Sequence, residues 1–284
     1  MSAAADFSGD IPDLRSLSGP LVLVGAGKMG GALLEGWLRC GLDPQKVAVI
    51  EPSPSPQIAA IAARGVRLNP DKSALADVGA LVIAVKPQVA ADVLPALAPL
   101  IGASTGVISI MAGRTLRFLA SALPRPCALV RAMPNLPAAI GRGITVAVAL
   151  GASDAQREQA QRLLAAAGGV EWIDDEGLMD AVTAVSGSGP AYVFLLAEVL
   201  AQAGAAAGLP PALAEKLARE TVAGSAELLH RSTLDPAILR QNVTSPGGTT
   251  AAALEVLMKA NGLAQLMREA VAAATRRSRE LAAG

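Results

Sequence analysis

Residues 21–31 read Leu-Val-Leu-Val-Gly-Ala-Gly-Lys-Met-Gly-Gly, an apolar run that breaks into a glycine fingerprint. Four apolar residues in a row suit a strand buried on both faces, and Gly25, Gly27 and Gly30 follow at G-x-G-x-x-G spacing. A helix is expected from Lys28 to Cys40, stopped by Gly41. Each glycine has a physical task. Gly25 allows the tight strand-to-helix turn, Gly27 lets the backbone approach a pyrophosphate, and Gly30 lets the helix pack closely on the strand. The helix N-terminus adds free N–H groups and partial positive charge. A turn without a ligand has the same three glycines. The strand before, the helix after and an acid further on favour a dinucleotide site.

That acid is Glu51, about 20 residues past the fingerprint, where a carboxylate bonds the adenosine ribose hydroxyls. It closes a second predicted strand, 47–50. Further strands are expected at 66–68, 81–85, 106–110, 127–133, 144–150 and 170–173, with helical stretches between them. One of these helices runs over 154–166. Strands alternating with helices imply βαβ units and a parallel, doubly wound sheet. Ligands bind beyond the carboxyl ends of such strands. Lys86, Pro87, Ala112, Gly113 and residues 134–137 are therefore placed at the nicotinamide half of a coenzyme, although Lys86 also reads as a solvated loop lysine.

Beyond residue 173 the β-branched runs end and alanine- and leucine-rich helical segments continue to the C-terminus. A chain of 284 residues has room for two domains. The expected division is an extension at 1–18, a Rossmann-type dinucleotide-binding α/β domain at 19–173, and an all-α domain at 174–284. Helices this apolar hide almost every face, which points to packing against a second subunit.

Composition narrows the function classes. Lysine plus arginine equals aspartate plus glutamate at 24 each and aromatics are 2%, so a nucleic-acid binder, with its basic face and stacking rings, is not expected. Cys40 and Cys127 read as buried thiols in a reducing compartment, and no metal-ligand spacing is present. Residues 1–18 carry Asp6, Asp10 and Asp13 without the basic start and apolar core of a secretory signal. Mean hydropathy is +0.45. The longest uncharged run, 181–197, is interrupted by Gly187-Ser188-Gly189-Pro190, so no bilayer span is expected and the protein is placed in the cytoplasm.

Two stretches punctuate the helical half. Ser186-Gly187-Ser188-Gly189-Pro190 reads as the stop of one helix and the start of another, with Pro190 in a first turn. Thr244-Ser245-Pro246-Gly247-Gly248-Thr249-Thr250 offers exposed amides and hydroxyls at a helix start, a place for a small carboxylate. Either is also consistent with a capped turn.

These motifs make the chain resemble the pyrroline-5-carboxylate reductases, from about Leu21 to the C-terminus. The specific pieces are Asp180-Ala181-Val182-Thr183 leading into Ser186 to Tyr192, and Ser245-Pro246-Gly247-Gly248-Thr249-Thr250; Ala84-Val85-Lys86-Pro87 and Arg131-Ala132-Met133-Pro134-Asn135 support them. The resemblance implies reduction of 1-pyrroline-5-carboxylate to L-proline by NADPH or NADH. It also implies an interlocked homodimer, such dimers often forming rings of five. It places the coenzyme on Gly25, Ala26, Gly27, Lys28, Met29 and Gly30, on Ala84, Val85 and Lys86, and on Ala112. Asn242, Thr249 and Thr250 should hold the pyrroline carboxylate with Ser245 and Gly248, and Glu176 should border substrate and nicotinamide. Leu136 departs from the family's usual threonine. Ser109-Ile110-Met111-Ala112-Gly113 replaces a smaller Ala-Ala-Gly ending, which reads as a packing change.

An imine nitrogen is basic enough to carry a proton in solution, so reducing it needs little acid catalysis. The sequence agrees: its single histidine, His230, reads as a helix end. Thr250 is assigned the catalytic hydrogen bond to the ring nitrogen. The resemblance implies a usual preference for NADPH, but Glu51 repels a 2′-phosphate and no lysine or arginine lies between Glu51 and Ala63, while Ser53 and Ser55 offer it hydrogen bonds; both coenzymes are expected to work. The alternatives are a related cyclic-imine reductase, a hydroxyacid dehydrogenase using Lys216 or Lys259, and a dinucleotide sensor without chemistry.

Overall fold

The computed structural model describes residues 12–17, 19–123 and 127–283. The chain divides into two compact units, Met1–Gly187 with Thr275–Gly284, and Ser188–Ala274. The first is built on a sheet of β1 (Leu21–Val24), β2 (Val47–Ile50), β3 (Arg67–Leu68), β4 (Ala80–Ile83), β5 (Gly106–Ser109), β6 (Ala128–Met133), β7 (Gly143–Leu150) and β8 (Gly168–Trp172). Their order across the sheet is 3-2-1-4-5-6-7-8. Five of its helices are α1 (Lys28–Arg39), α2 (Pro56–Ala62), α3 (Ala90–Val93), α4 (Leu116–Ala122) and α5 (Asp154–Ala165). One core cluster on the sheet gathers Leu21, Leu23, Trp37 and Ile108, the other Val22, Val24, Leu81 and Val107. Successive residues of β1 thus feed opposite faces, as a strand covered on both sides must. Trp37 in α1 is fully buried and its Nε1–H donates to the Leu163 carbonyl at 2.8 Å, so its one polar atom is satisfied.

The sheet departs from the expected all-parallel form. β7 pairs antiparallel with β6, and β8 then runs parallel to β7. The cause is the connection at 134–142, which is shorter than the dozen or so residues that a parallel crossover takes. The expected loose extension also needs correcting over 12–17. Leu14 and Leu17 are buried in the first cluster, the Leu14 N–H donates to the Cys40 carbonyl at 3.1 Å, and the Arg162 guanidinium donates to the Asp13 carbonyl. The rest of the extension lies outside the described residues.

The division at Gly187/Ser188 differs from the expected 173/174 because residues 174–187 are tied to the sheet. Met179, in α6 (Met179–Val182), is buried in the second cluster. The final helix, α11 (Leu263–Ala283), returns residues 275–283 to this unit. Ser278 Oγ donates to Asp180 at 2.6 Å, and the Leu281 backbone stands against Gly113.

The second unit holds α7 (Gly189–Ala206), α8 (Pro211–Arg231), α9 (Pro236–Asn242), α10 (Thr249–Leu257) and the earlier part of α11. α7 and α8 form a tight hairpin. Gly208, with φ +101°, reverses the chain, and Gly204 lets α8 approach so closely that an added Cβ would stand 3.3 Å from Ala214 Cβ. Ser186–Pro190 does not stop the helix as expected. A π-helical turn, Thr183–Gly187, carries the chain from α6 into α7, and Pro190 sits in the first turn of α7 where its missing N–H costs nothing. By length and composition the 31-residue stretch Glu176–Ala206 qualifies to cross a membrane, contrary to the interruption expected there. No residue of α7 is buried within this chain, and Phe194 is 61% exposed.

Candidate active site

The strand order reverses at β1, whose neighbours are β2 and β4, and such a switch point opens a crevice at the carboxyl ends of the strands. The three fingerprint glycines meet there for three different reasons. Gly25 has φ +88° and lies against Ala84 and Val85; an added Cβ would come within 2.8 Å of the Ala84 carbonyl. Gly30 allows no side chain, since a Cβ would stand 2.2 Å from the Gly25 carbonyl oxygen. Gly27 is unlike both. Its backbone is extended at φ −67°, ψ −163°, which any residue adopts, and no atom lies within 4 Å of the position a Cβ would take. Neither conformation nor packing requires glycine at 27, so the space in front of it is what a pyrophosphate would use. Gly27 caps α1 without a side-chain hydrogen bond, leaving the amides of the first turn directed outward. Lys28 is exposed and Met29 half-buried.

Glu51, expected on the adenosine side, follows β2 beside the glycine turn. Its Oε2 accepts from the Ala26 N–H at 2.8 Å and its Oε1 from the Ser53 N–H at 3.1 Å. Asn69 grips the same residue through both main-chain groups: Glu51 N–H donates to Asn69 Oδ1, and Asn69 Nδ2 donates to the Glu51 carbonyl, each at 2.8 Å. Asn69 adopts a left-handed conformation, φ +48°, which asparagine tolerates better than most residues. Ser53 is exposed, and the Ser55 hydroxyl accepts from the Ile58 N–H to cap α2.

Ala84, Val85 and Lys86 follow β4, with Lys86 exposed, and Ala112 follows β5, also exposed. Arg114 ties these loops together by donating from Nε and Nη2 to the Pro87 carbonyl at 3.1 and 3.0 Å, and it stacks 4.6 Å over the Phe118 ring. Ile110 and Met111, expected as a packing change, are both buried. Ile110 joins the first cluster and Met111 the second. Leu136 is 46% exposed.

Glu176 serves the scaffold in this unit. Its Oε1 accepts from the Leu116 N–H, at the start of α4, and from Arg131 Nη1 on β6, both at 2.8 Å. Arg131 is only 5% exposed. A guanidinium so buried must be paired, and truncating its partner leaves an uncompensated charge. Glu176→Ala is therefore expected to cost about 2–3 kcal/mol, the low end for a buried pair because the carboxylate side is partly wet. The loss should appear as a fall of roughly 5–10 °C in melting temperature. An unchanged melting curve would show that Arg131 finds another acceptor.

The second unit carries the other group of expected residues. The Ser245 carbonyl accepts from the Gly248 N–H at 3.0 Å, closing a turn with Pro246 at its second position and Gly247, φ +69°, at its third, the pattern of a type II turn. Gly248 then caps α10 with no side-chain hydrogen bond, so the amides of Thr249 and Thr250 are presented at a helix N-terminus beside their own hydroxyls. Asn242 is the last residue of α9, exposed, and the segment from it to Ser245 is held by Thr244 Oγ1 donating to the Arg240 carbonyl at 2.7 Å. Asn242, Ser245, Gly248, Thr249 and Thr250 thus follow one another from the end of α9 to the start of α10, and the expected coenzyme residues and Glu176 belong to the sheet unit.

Among the described residues no three His, Cys, Asp or Glu gather as metal ligands. Cys40 and Cys127 are half-buried thiols outside any disulfide, and burial pushes the Cys40 thiol up, away from the reactive thiolate. His230 lies in the last turn of α8, where a basic group favours the helix. Three residues escaped the sequence reading as supports: Asn69, Arg114 and Arg131. Only Arg131 carried a legible signal, a charge inside the strand Ala-Leu-Val-Arg-Ala-Met.

A family model for pyrroline-5-carboxylate reductase dimerisation matches residues 176–281, and one described as NADP oxidoreductase, coenzyme F420-dependent, matches 20–113. The chain is 40% identical to the pyrroline-5-carboxylate reductase of Pseudomonas aeruginosa, over 92% of this chain and 96% of that protein. It is 43% identical to that of Synechocystis sp., over 92% and 97%. A solved pyrroline-5-carboxylate reductase from Coxiella burnetii superposes with a TM-score of 0.85 at 33% identity, covering 93% of this chain and 98% of the other. The Plasmodium falciparum pyrroline carboxylate reductase, solved with NADP bound, gives 0.79 at 29%, covering 93% and 98%.

Proposed function

The chain belongs to the pyrroline-5-carboxylate reductase family, and from that premise we infer that it reduces 1-pyrroline-5-carboxylate to L-proline with NADPH or NADH, the last step of proline biosynthesis. One observation carries the reading: the family models span both the glycine fingerprint and the Ser245–Thr250 loop, the two features that the reaction needs. When bound, the reduced nicotinamide supplies a hydride to the imine carbon. The chain supplies placement. Gly25 to Gly30 with Glu51 and Ser53 hold the adenosine and pyrophosphate half, and Ala84, Val85, Lys86 and Ala112 border the nicotinamide. The amides of Gly248, Thr249 and Thr250, with Ser245 and Asn242, hold the substrate carboxylate. The Thr250 hydroxyl bonds the ring nitrogen, and Glu176 is read as a further substrate-site residue. Holding two reactants in line supplies a large part of the rate such a reaction gains.

The protein is a homo-oligomer, and we place the contact between subunits on the exposed apolar faces of the second unit. Phe194, Leu196 and Leu200 on α7 stand uncovered within one chain, which a bundle completed by a partner would bury. The dimerisation match covers the same stretch, so its membrane-like composition is read as an interface. The proposed assembly is a homodimer, built further into a ring of five dimers. It is cytoplasmic and has neither membrane nor nucleic-acid partners.

The test is the loss of reduced-nicotinamide absorbance on adding pyrroline-5-carboxylate to the purified protein. Consumption driven only by an oxo-acid would replace this reading with a hydroxyacid dehydrogenase. That chemistry wants a lysine acid, whereas Lys216 is exposed on α8 and Lys259 lies exposed past the end of α10. Binding without any turnover would leave a sensor.

A further inference from the structure

We propose that a cavity at the amino-end edge of the sheet binds a small organic phosphate, at a site separate from the coenzyme crevice. Gly19 and Pro20 lead into β1, Gln45 and Lys46 lead into β2, and Gly65 lies just ahead of β3, whose first residue is Arg67. These residues line a cavity of about 490 Å³, a volume within the range of small-molecule sites. β1, β2 and β3 run parallel, with Leu21 opposite Val47 and Ala48 opposite Arg67, so their amino ends gather at one edge. The glycine turn and Glu51 follow the carboxyl ends of β1 and β2. Strands of four residues, at about 3.3 Å per residue, put roughly 10 Å of sheet between the two edges.

Charge and hydrogen bonding decide what the cavity takes. Its lining carries two cations, Lys46 and Arg67, and no acid. Asp43, close by in sequence, accepts from the Gln45 N–H at 2.9 Å. Arg67 Nε is buried and has no hydrogen-bond partner among the described residues. A guanidinium N–H shut off from water without an acceptor is costly, and an anion supplies the acceptor. Helix α2 ends at this edge, and its C-terminal field favours a cation, but a field offers Nε no acceptor. Lys46 Nζ donates to the Leu17 carbonyl at 3.3 Å, which leaves it protons for a second partner. A phosphate monoester carries nearly two negative charges, which a lysine and an arginine together offset, and a guanidinium fork fits its oxygens. The cavity is larger than a bare phosphate needs, and the exposed Gln45 amide on its rim offers hydrogen bonds to an organic remainder.

The test is calorimetric titration of the full-length protein with inorganic phosphate and with glucose 6-phosphate. Ionic strength is held constant, and saturating NAD or NADP keeps the glycine turn filled. Glucose 6-phosphate is expected to bind with a dissociation constant of about 1 mM or tighter, and inorganic phosphate more weakly. Arg67→Met keeps the apolar stem and removes the charge. It should weaken both ligands at least about tenfold, and Lys46→Met should do the same. Neither variant should change coenzyme affinity. Without phosphate, Arg67→Met should melt no lower than wild type, because an unpaired buried charge has been removed. Should that variant fail to fold, Lys46→Met carries the comparison. No binding of either phosphate at about 10 mM, or binding that both variants leave unchanged, overturns the proposal. A rise in melting temperature with chloride equal to that with glucose 6-phosphate overturns it too, since screening alone would then be at work. The readout is binding and not turnover, so its failure is distinct from a failure of the reductase reading.

Discussion

Gly30→Ala is expected to weaken coenzyme binding by about 100-fold or more and to lower the melting temperature as well. The added methyl would stand 2.2 Å from the Gly25 carbonyl oxygen and 3.2 Å from Ala84 Cβ. The first of these is main chain in a turn whose own N–H is bonded to the Ile50 carbonyl at 2.9 Å, so it cannot rotate away. Helix α1 must move outward instead. A displacement of about 1 Å at a binding element costs on the order of 100-fold, and prising α1 from β1 also loosens packing around Leu33 and Leu34. Gly27→Ala is the informative contrast. Its conformation suits alanine and its methyl meets nothing, so the fold should keep its melting temperature or gain slightly, while coenzyme affinity falls. Dissociation constants and melting curves for the two variants check this together. Should Gly27→Ala bind coenzyme as wild type does, the space in front of residue 27 is not where the pyrophosphate lies.

That contrast also shows how far the sequence could be read. The tasks assigned to Gly25 and Gly30 from spacing alone match a left-handed turn and a close packing contact, and Gly27 faces open space. The strands were legible because buried parallel strands are short apolar runs; β1 and β2 fall at the residues expected. What was missed is non-local. Leu14 and Leu17 sit among acidic neighbours, and only the groove beside α1 and α5 explains their burial. Asn69 stabilises Glu51 across 18 positions of sequence, which no local pattern reveals. Met179 and Ser278 join the sheet unit through contacts made far along the chain, so that compact unit runs on to Gly187, past the residues where strand composition ends. The direction of β7 was readable in principle from the brevity of residues 134–142 and was overridden by the regular alternation before it. The Ser186–Pro190 stretch misled differently. Glycines and a proline normally break a helix, but a π turn absorbed them with the proline in a first turn.

Thr250→Ala is expected to lower kcat by on the order of 100-fold while leaving the fold and the coenzyme affinity unchanged. Thr250 is the second residue of α10, whose N-cap Gly248 has no side-chain cap hydrogen bond among the described residues. Alanine is the best helix former at such a position, so stability should hold or rise slightly. What disappears is the hydroxyl. As the imine carbon accepts a hydride, the ring nitrogen turns from a planar iminium into a tetrahedral amine whose lone pair has just formed, and a hydroxyl aimed there meets an acceptor that the ground state lacks. An interaction of that kind acts on kcat and not on KM. The proposed carboxylate clasp uses amides that the substitution leaves untouched, so KM for the imine should move by much less than kcat. Thr250→Ser, which keeps the hydroxyl and loses only the methyl, should restore most of the rate. A Thr250→Ala protein with kcat within a fewfold of wild type, or one whose whole defect lies in KM, would assign Thr250 to the clasp alone and leave the ring nitrogen to solvent.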